Sequence, residues 1–436
     1  MISQFRKNQM ITARVDDVNN LGYGVCRADG AVCFVADGVT GDLLEIKIIK
    51  VARDYLVGRT EKILEPSPHR AERICPLSKR CGGCSFDGID PAYELKIKRN
   101  TVVSAFRREG LSVSVAPTVS DGRVCGYRNK VAYPVEGTKV GYYGTHSHEI
   151  IDCAGRCPLV SPLIDPISGF IADALKSRPL PSLRHICIRA GEGTGEAAVC
   201  FVSHERDPEV YAPLTGKLTE RFPEIKSVTL NVNSAETNVI LGKEYLLLSG
   251  RDYIEDELCG LRFCVSPASF WQVNRHMAEL LYKKAAELSG LTQGEKLLDL
   301  FCGTGSVGLC MAAGLPGVEL TGVEIVPEAV ENARENAALN GFDRASFICD
   351  DANKVDIGAF DVITVDPPRK GLSPELIDRI SASGNRRLVY ISCNPATLAR
   401  DCKRFAGLGY EIGEATPFDL FPRTGHVESV VKLIRQ

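Results

Sequence analysis

Apolar and polar positions change rhythm along the chain. Over residues 10–64 they alternate in short runs, 11–15, 24–27, 31–35, 43–51 and 55–63, broken at Asp29-Gly30 and Gly41-Asp42. Such runs bounded by Gly and Asp predict strands and turns. Five of them in so short a span predict a small OB-like β-barrel. Glu65-Pro66-Ser67-Pro68 reads as a linker, and 91–109 as a helix with Pro91 in its first turn and Gly110 at its end. From about 124 to 267 the pattern is mostly strands (186–189, 197–203, 227–233, 245–249, 261–266), which predicts an α+β central domain.

Past residue 269 the strands are 296–301, 319–323, 345–349, 361–366, 387–392, 410–415 and 427–434. Helical patterns separate the first five, notably 327–340, which Gly341 ends; this predicts parallel pairing with right-handed crossovers. The last two lack a helix-length connection and are expected to form an antiparallel hairpin. The expected division is 1–65 (barrel), 66–267 (central α+β domain, its helix 91–110 packing on the C-terminal domain) and 268–436 (doubly wound α/β domain).

With 436 residues, two or three domains are expected. At 44% apolar and 25% charged, the composition excludes collagen-like, disordered and coiled-coil classes. No apolar run approaches a membrane span and residues 1–10 lack a signal-peptide core, so a cytoplasmic protein is expected. The net charge of −3 divides unevenly, with +6 over residues 1–130 and −9 over the rest. The basic excess lies within 66–130, including Arg70, Arg73, Lys98 and Arg128, and suits a polyanion as well as an ordinary solvated face.

Seventeen cysteines, an odd and mostly scattered set, do not suggest a disulfide framework. Two groups call for chemistry. The spacing Cys75-x5-Cys81-Gly-Gly-Cys84 leaves room for a fourth ligand, with Cys153 and Cys157 as candidates. It is neither a radical-enzyme run nor a zinc-ribbon pair of Cys-x2-Cys, and Cys157-Pro158 is like the Cys-Pro that ends ferredoxin ligand runs. The other is Cys393 in Ser392-Cys393-Asn394-Pro395, at the C-terminal end of a central strand, where open α/β sheets hold ligands.

The loop after the first C-terminal strand contains Gly303-x-Gly305-x-x-Gly308, and Glu324 closes the second strand. This formally matches the dinucleotide fingerprint, so an NAD-dependent oxidoreductase is one reading. Asp299 and the late start of the glycines, two residues beyond Phe301, weigh against it. Asp351 and Asp366 follow at the next strand ends. In 421–428, alternation puts His426 and Glu428 on one face with Val427 opposite. A cysteine beside two proton acceptors suits methylation of uracil C5. A thiolate added to C6 makes C5 nucleophilic, and a base then removes the C5 proton.

Phe270-Trp271-Gln272-Val273-Asn274, Asp-Leu-Phe-Cys-Gly-Thr-Gly at 299–305, Asp-Pro-Pro-Arg-Lys-Gly at 366–371, Ser-Cys-Asn-Pro at 392–395 and His-Val-Glu-Ser at 426–429 follow one another in a familiar order. By these motifs the chain resembles the RNA uracil-5 methyltransferases over nearly its whole length, most of all the 23S rRNA (uracil-5-)-methyltransferases. The resemblance implies a Rossmann-like methyltransferase domain and S-adenosylmethionine as methyl donor. It implies Cys393 as nucleophile and Glu428 as base, with His426 as the alternative base or an RNA contact. Gln272, Phe301, Ser306, Glu324, Asp351 and Asp366 would line the cofactor site, and Phe270 would lie near the target base; some relatives have Asn at the position of Ser306. Arg369 stands where amino-methylating enzymes of this fold carry an aromatic residue, which argues against an exocyclic amine. The barrel, with Gly22-Tyr23-Gly24 and 35–42, resembles the TRAM RNA-binding module. The same branch implies a [4Fe–4S] cluster on Cys75, Cys81, Cys84 and Cys157, structural or an aid to RNA binding. The alternatives are a tRNA uracil-5-methyltransferase, the NAD-dependent oxidoreductase and a non-catalytic RNA-binding protein.

Overall fold

Strict alternation of buried and half-exposed side chains builds the first unit. In the strand Ala31–Ala36 every second residue, Ala31, Cys33 and Val35, is buried. It is the third of five, after Met10–Val18 (β1) and Tyr23–Ala28 (β2) and before Leu43–Val51 (β4) and Leu56–Glu65 (β5), and is labelled β3. The five close into a barrel in the order β1-β2-β3-β5-β4, with only β3 and β5 parallel. A side chain at Gly58 would meet Ile46 Cγ2 at 2.3 Å, so only glycine lets β5 cross the barrel interior there. The computed structural model describes residues 2–145, 147–358 and 360–435.

Helix α1 (Pro91–Arg108) starts where Asp90 Oδ2 accepts the Tyr93 N–H at 2.9 Å and Pro91 needs no partner for a missing N–H. The strands Lys130–Glu136 (β6), Lys139–Tyr143 (β7) and Ile150–Asp152 (β8), helix α2 (Ile164–Ser177), Leu183–Gly191 (β9), Glu196–Ser203 (β10), helix α3 (Pro208–Arg221), Ile225–Val232 (β11) and Glu244–Gly250 (β12) follow. They form a seven-stranded sheet, β12-β11-β10-β9-β6-β7-β8, with β10 and β11 parallel. The hairpin Ile254–Leu258 (β13) and Leu261–Val265 (β14) leads out of it.

The remaining chain runs through α4 (Arg275–Ser289), β15 (Lys296–Leu300), α5 (Ser306–Ala312), β16 (Glu319–Glu324), α6 (Pro327–Leu339), β17 (Ala345–Cys349), β18 (Val362–Val365), α7 (Pro374–Ala382), β19 (Arg387–Ser392), α8 (Pro395–Gly407), β20 (Tyr410–Ile412), β21 (Thr416–Phe418) and β22 (Glu428–Arg435). The sheet order is β17-β16-β15-β18-β19-β22-β20, with β21 also on β22. The first five strands are parallel, and β22 is antiparallel to β19, β20 and β21. The one strand expected over 410–415 is therefore two, β20 and β21, on either side of Gly413, whose N–H still donates to Lys432 O at 2.9 Å. Helix α1 lies on α8, and Val102 and Phe106 share a core with Leu388, Leu398 and Phe405 of this sheet and its helix. Among the described residues no helix is long and apolar enough to cross a membrane.

Candidate active site and thiol pocket

The glycine loop grows out of β15. Phe301 turns the chain with φ 65°, a left-handed conformation that costs a bulky residue about 1–2 kcal/mol. Gly303 (φ 54°) and Gly305 (φ 78°) continue the turn into Ser306, the first residue of α5. A side chain at Gly308 would meet Leu320 Cδ1 at 2.7 Å and Asp299 Oδ2 at 2.9 Å. Without one, the Gly308 N–H donates to Asp299 Oδ2 at 2.9 Å. Glu324, at the end of β16, accepts the Gly303 N–H on Oε2 (3.1 Å) and the Ile325 and Val326 N–H groups on Oε1 (2.8 and 3.0 Å). Asp351, just past β17, accepts the N–H and side-chain amide of Asn353, both at 2.9 Å.

Negative charge is gathered in this crevice. Burial pushes the Asp299 carboxyl up to about 8, with Asp366 and Glu324 adding to it against the Gly308 N–H. Burial likewise pushes Asp366, just past β18, up to about 7. Asp299 Oδ1 is buried without a hydrogen-bond partner. A cationic ligand set against open backbone relieves both conditions, so these residues fit a sulfonium-bearing nucleoside. Sequence reasoning missed Tyr282, buried on α4, whose hydroxyl lies 3.4 Å from Ser306 Oγ and against Gln272, with Asp366 close by. Its helical spacing among apolar residues is that of an ordinary core aromatic, so no local signal marks it.

Two strand ends bring the expected catalytic pair together. Ser392 of β19 faces Ser429 of β22, so the next antiparallel step sets Cys393 across from Glu428. Glu428 is buried, and burial, with Asp366 adding and Arg369 opposing, pushes its carboxyl up to about 8. Burial, Glu428 and Asp366 push the Cys393 thiol up to about 11, again against Arg369. Arg369 is exposed, its Nη2 3.3 Å from His426 Nδ1, and its carbonyl accepts the Asn394 side-chain amide at 2.9 Å. His426 is exposed as well, and desolvation with the nearby Arg369, Lys98 and Arg128 charges lowers its pKa. The Phe270 ring is 68% exposed, free to meet a ligand.

Part of the basic run expected to form a solvated or RNA-facing surface is instead paired inside the protein, while Lys79, Arg80, Lys96, Arg99, Arg107 and Arg108 remain exposed. Lys98 is fully buried. It donates to Glu94 Oε1 at 2.8 Å, to Asp419, and to Phe421 O at 3.1 Å. The Arg423 N–H also donates to Glu94 Oε1, at 2.8 Å, and its guanidinium to Ile89 O, also at 2.8 Å. Arg70 pairs with Asp42 at 2.7 Å and Arg73 with Asp37. Helix α1 thus clamps the loop 419–427 that delivers Glu428. The (i, i+4) spacing of Glu94 and Lys98 was the available signal for a pair, and Asp419 lies too far along the chain to be read with it.

Cys75, Cys81, Cys84, Cys153 and Cys157 all line one cavity of about 970 Å³, walled also by barrel residues such as Leu21 and Arg59 and reaching His426. Burial pushes the Cys84 thiol far up, with Cys157, Cys81 and Cys75 adding to it. Burial raises Cys157 too, with Cys75 and Cys81 adding. Cys81 in turn is raised by burial and by Cys75. Cys75, Cys81, Cys84 and Cys157 thus lie within electrostatic reach of one another on one cavity wall. Burial brings Cys153 up to about 12, with Cys81 and Cys157 adding to it. No three His, Cys, Asp or Glu side chains among the described residues are drawn together tightly enough to hold a single metal ion. Four cysteines around a roomy pocket fit a multi-iron group, in which each iron takes one thiolate.

A family model described as a methyltransferase domain matches residues 291–401. An uncharacterised RNA methyltransferase of Clostridium acetobutylicum is 36% identical over 99% of this chain and 98% of its own. One of Halalkalibacterium halodurans is 35% identical over 98% and 97%. The crystal structure of Pyrococcus abyssi tRNA (uracil-54, C5)-methyltransferase with S-adenosyl-L-homocysteine matches with a TM-score of 0.78 at 26% identity, over 97% of this chain and 100% of that one. Neither the oxidoreductase nor the non-catalytic reading agrees with full-length likeness to RNA methyltransferases. The chain belongs to the S-adenosylmethionine-dependent RNA methyltransferases.

Proposed function

We propose that the protein methylates carbon 5 of a uridine in RNA through a covalent cysteine adduct. The meeting of Cys393 and Glu428 across β19 and β22 carries this reading. Gln272, Phe301, Ser306, Glu324, Asp351 and Asp366 hold the methyl donor, and Phe270 and His426 meet the RNA. Bound there, S-adenosylmethionine supplies an electrophilic methyl group. Cys393 releases its proton and Sγ bonds to uracil C6, the electron pair moving through C5 to the C4 carbonyl oxygen. C5 of this enolate would take the methyl group, with S-adenosylhomocysteine as the leaving group. With C5 methylated, Glu428 takes its proton, the C5–C6 double bond re-forms and the sulfur leaves. Cys393→Ala is expected to abolish turnover while keeping cofactor affinity. Glu428→Gln is expected to lower kcat by about 10²- to 10⁴-fold and to accumulate RNA-linked protein. On a denaturing, reducing gel that methylated adduct requires S-adenosylmethionine; free turnover by Glu428→Gln with adduct in His426→Asn would move the base to His426.

The barrel and the cluster cysteines, which tRNA enzymes of bacterial type in the resembled family usually lack, favour 23S rRNA as substrate, with the barrel acting as a TRAM module. The Pyrococcus abyssi match favours tRNA as the second reading. Mapping 5-methyluridine in total RNA from a deletion strain separates them. Cys75, Cys81, Cys84 and Cys157 hold a [4Fe–4S] cluster in this reading, supported by their common place on the cavity wall and by the Cys157-Pro158 pair. Anaerobically purified protein is then expected to carry about four irons, lost in Cys157→Ser and kept in Cys153→Ser. The reverse pattern would make Cys153 the ligand.

A further inference from the structure

Three consecutive residues join the thiol pocket to both loops of the active site. Their backbone is fixed to the chain that follows Cys157. The Gly126 N–H donates to Pro158 O, the Arg128 N–H to Leu159 O, and the Ser161 N–H to Arg128 O, each at 2.9 Å. The side chains then diverge. Tyr127 and Asn129 are buried, whereas Arg128 lines the thiol cavity, with Tyr142, Tyr127 and Cys157 among its neighbours. Tyr127 Oη donates to Pro422 O at 2.9 Å, inside the loop that delivers Glu428. Asn129 Nδ2 donates to Gln272 O at 3.0 Å, and its N–H to Val273 O at 2.8 Å. Among the described residues no carboxylate pairs with Arg128, whose Nε donates to Lys130 O at 3.1 Å. That leaves its positive charge facing the cysteines.

We propose that Tyr127, Arg128 and Asn129 are positioning residues through which filling of the four-thiol site sets the placement of Gln272 and Glu428. The proposal rests on the reading of that site as a cluster site. A cluster shared by Cys75, Cys81, Cys84 and Cys157 pins Cys157 and hence Leu159–Ser161. The paired strand segment passes that order to Tyr127 and Asn129, each of which holds one active-site loop. Arg128 offsets the negative charge of a thiolate-bound cluster. This gives a cluster that the methyl transfer does not consume a task in the enzyme.

Amide hydrogen exchange on the full-length protein, iron-loaded and then stripped by chelation under oxidising conditions, tests the coupling. Stripping is expected to speed exchange in both 268–274 and 419–428 while leaving the barrel strands unchanged. Tyr127→Phe removes one hydrogen bond, and in the loaded protein is expected to speed exchange roughly fivefold in 419–428 alone. It should lower kcat without changing affinity for S-adenosylmethionine. In this variant, stripping should still loosen 268–274 and add little at 419–428. Unchanged exchange at both loops on stripping iron-loaded wild type overturns the coupling while leaving the cluster in place. So does equal loosening of both loops in loaded Tyr127→Phe. Anaerobically isolated protein without iron overturns the cluster reading and the coupling with it.

Discussion

Burial pushes Glu428 up to about 8 and Cys393 up to about 11, so near neutral pH the pair holds its protons before RNA arrives. A base must be deprotonated to take the C5 proton and a thiol to attack C6, so kcat/KM is expected to climb as pH rises through about 8 and onward toward 11. Glu428 and Asp366 titrate as neighbours, and the limb belongs to the set rather than to one residue. Arg369 is the opposing charge on both catalytic groups. Arg369→Gln is expected to raise both, move the ascending limb of the pH–rate profile to more alkaline pH, and lose more activity at pH 7 than at pH 9. An unmoved limb would reduce Arg369 to its contacts with His426 and Asn394. Cys393 and Glu428 were legible in the sequence because strand ends and alternation locate them. The opposing charge was not, since Arg369 reads only as the residue after a Pro-Pro pair until the fold sets it beside β19 and β22.

Between elements, the decisive contact is the buried cluster of Lys98, Glu94 and Asp419, which fastens α1 to the loop before β22. Removing the cation leaves two buried carboxylates facing each other. Lys98→Met is therefore expected to cost about 3–5 kcal/mol, read as a lower denaturant midpoint. Adding Asp419→Asn should recover much of the loss, because Glu94 then keeps Arg423 as its partner at 3.7 Å and no uncompensated carboxylate remains. A midpoint unchanged by Lys98→Met would show that the ions contribute nothing net. The same elements show where periodicity suffices. The parallel strands β15–β19 stand out as apolar runs between helices. By contrast α2 and α3 were hidden by Pro166 and Gly169 in one and Pro213 and Gly216 in the other, residues that usually end helices. Pro166 lies in the first turn, where a missing N–H costs nothing, and α3 carries Pro213 in its interior while packing on β11 and β12. Packing outweighed propensity there, and a linear reading has no access to packing.

Across the whole molecule, the barrel is docked onto the catalytic machinery. A side chain at Gly22 would meet Ser85 O at 2.3 Å, and one at Gly425 would meet Asn20 O at 1.9 Å. The tip of the barrel between β1 and β2 therefore touches the thiol loop on one side and the loop before Glu428 on the other. The cavity enclosed by these three parts runs from the cysteines to His426, and exposed Arg59 and Lys79 stand on its wall. Arg59 also meets Glu61, and Lys79 meets Asp37 at 3.6 Å, both at the surface. The two cations therefore still present charge to an RNA backbone that follows this passage to the site. Each cation that meets a phosphate releases counterions, so its loss weakens binding and flattens the salt dependence. Arg59→Gln with Lys79→Gln is expected to weaken RNA affinity and lower the slope of log K against log salt by roughly 1.4, the value for two contacts to a single strand. Affinity for S-adenosylmethionine should not change, because the glycine loop lies outside the cavity. Titration of RNA by fluorescence anisotropy at four salt concentrations measures both quantities. A parallel line displaced to weaker binding would mean that the substitutions disturb the docking of the barrel, and an unshifted line that RNA reaches His426 by another face.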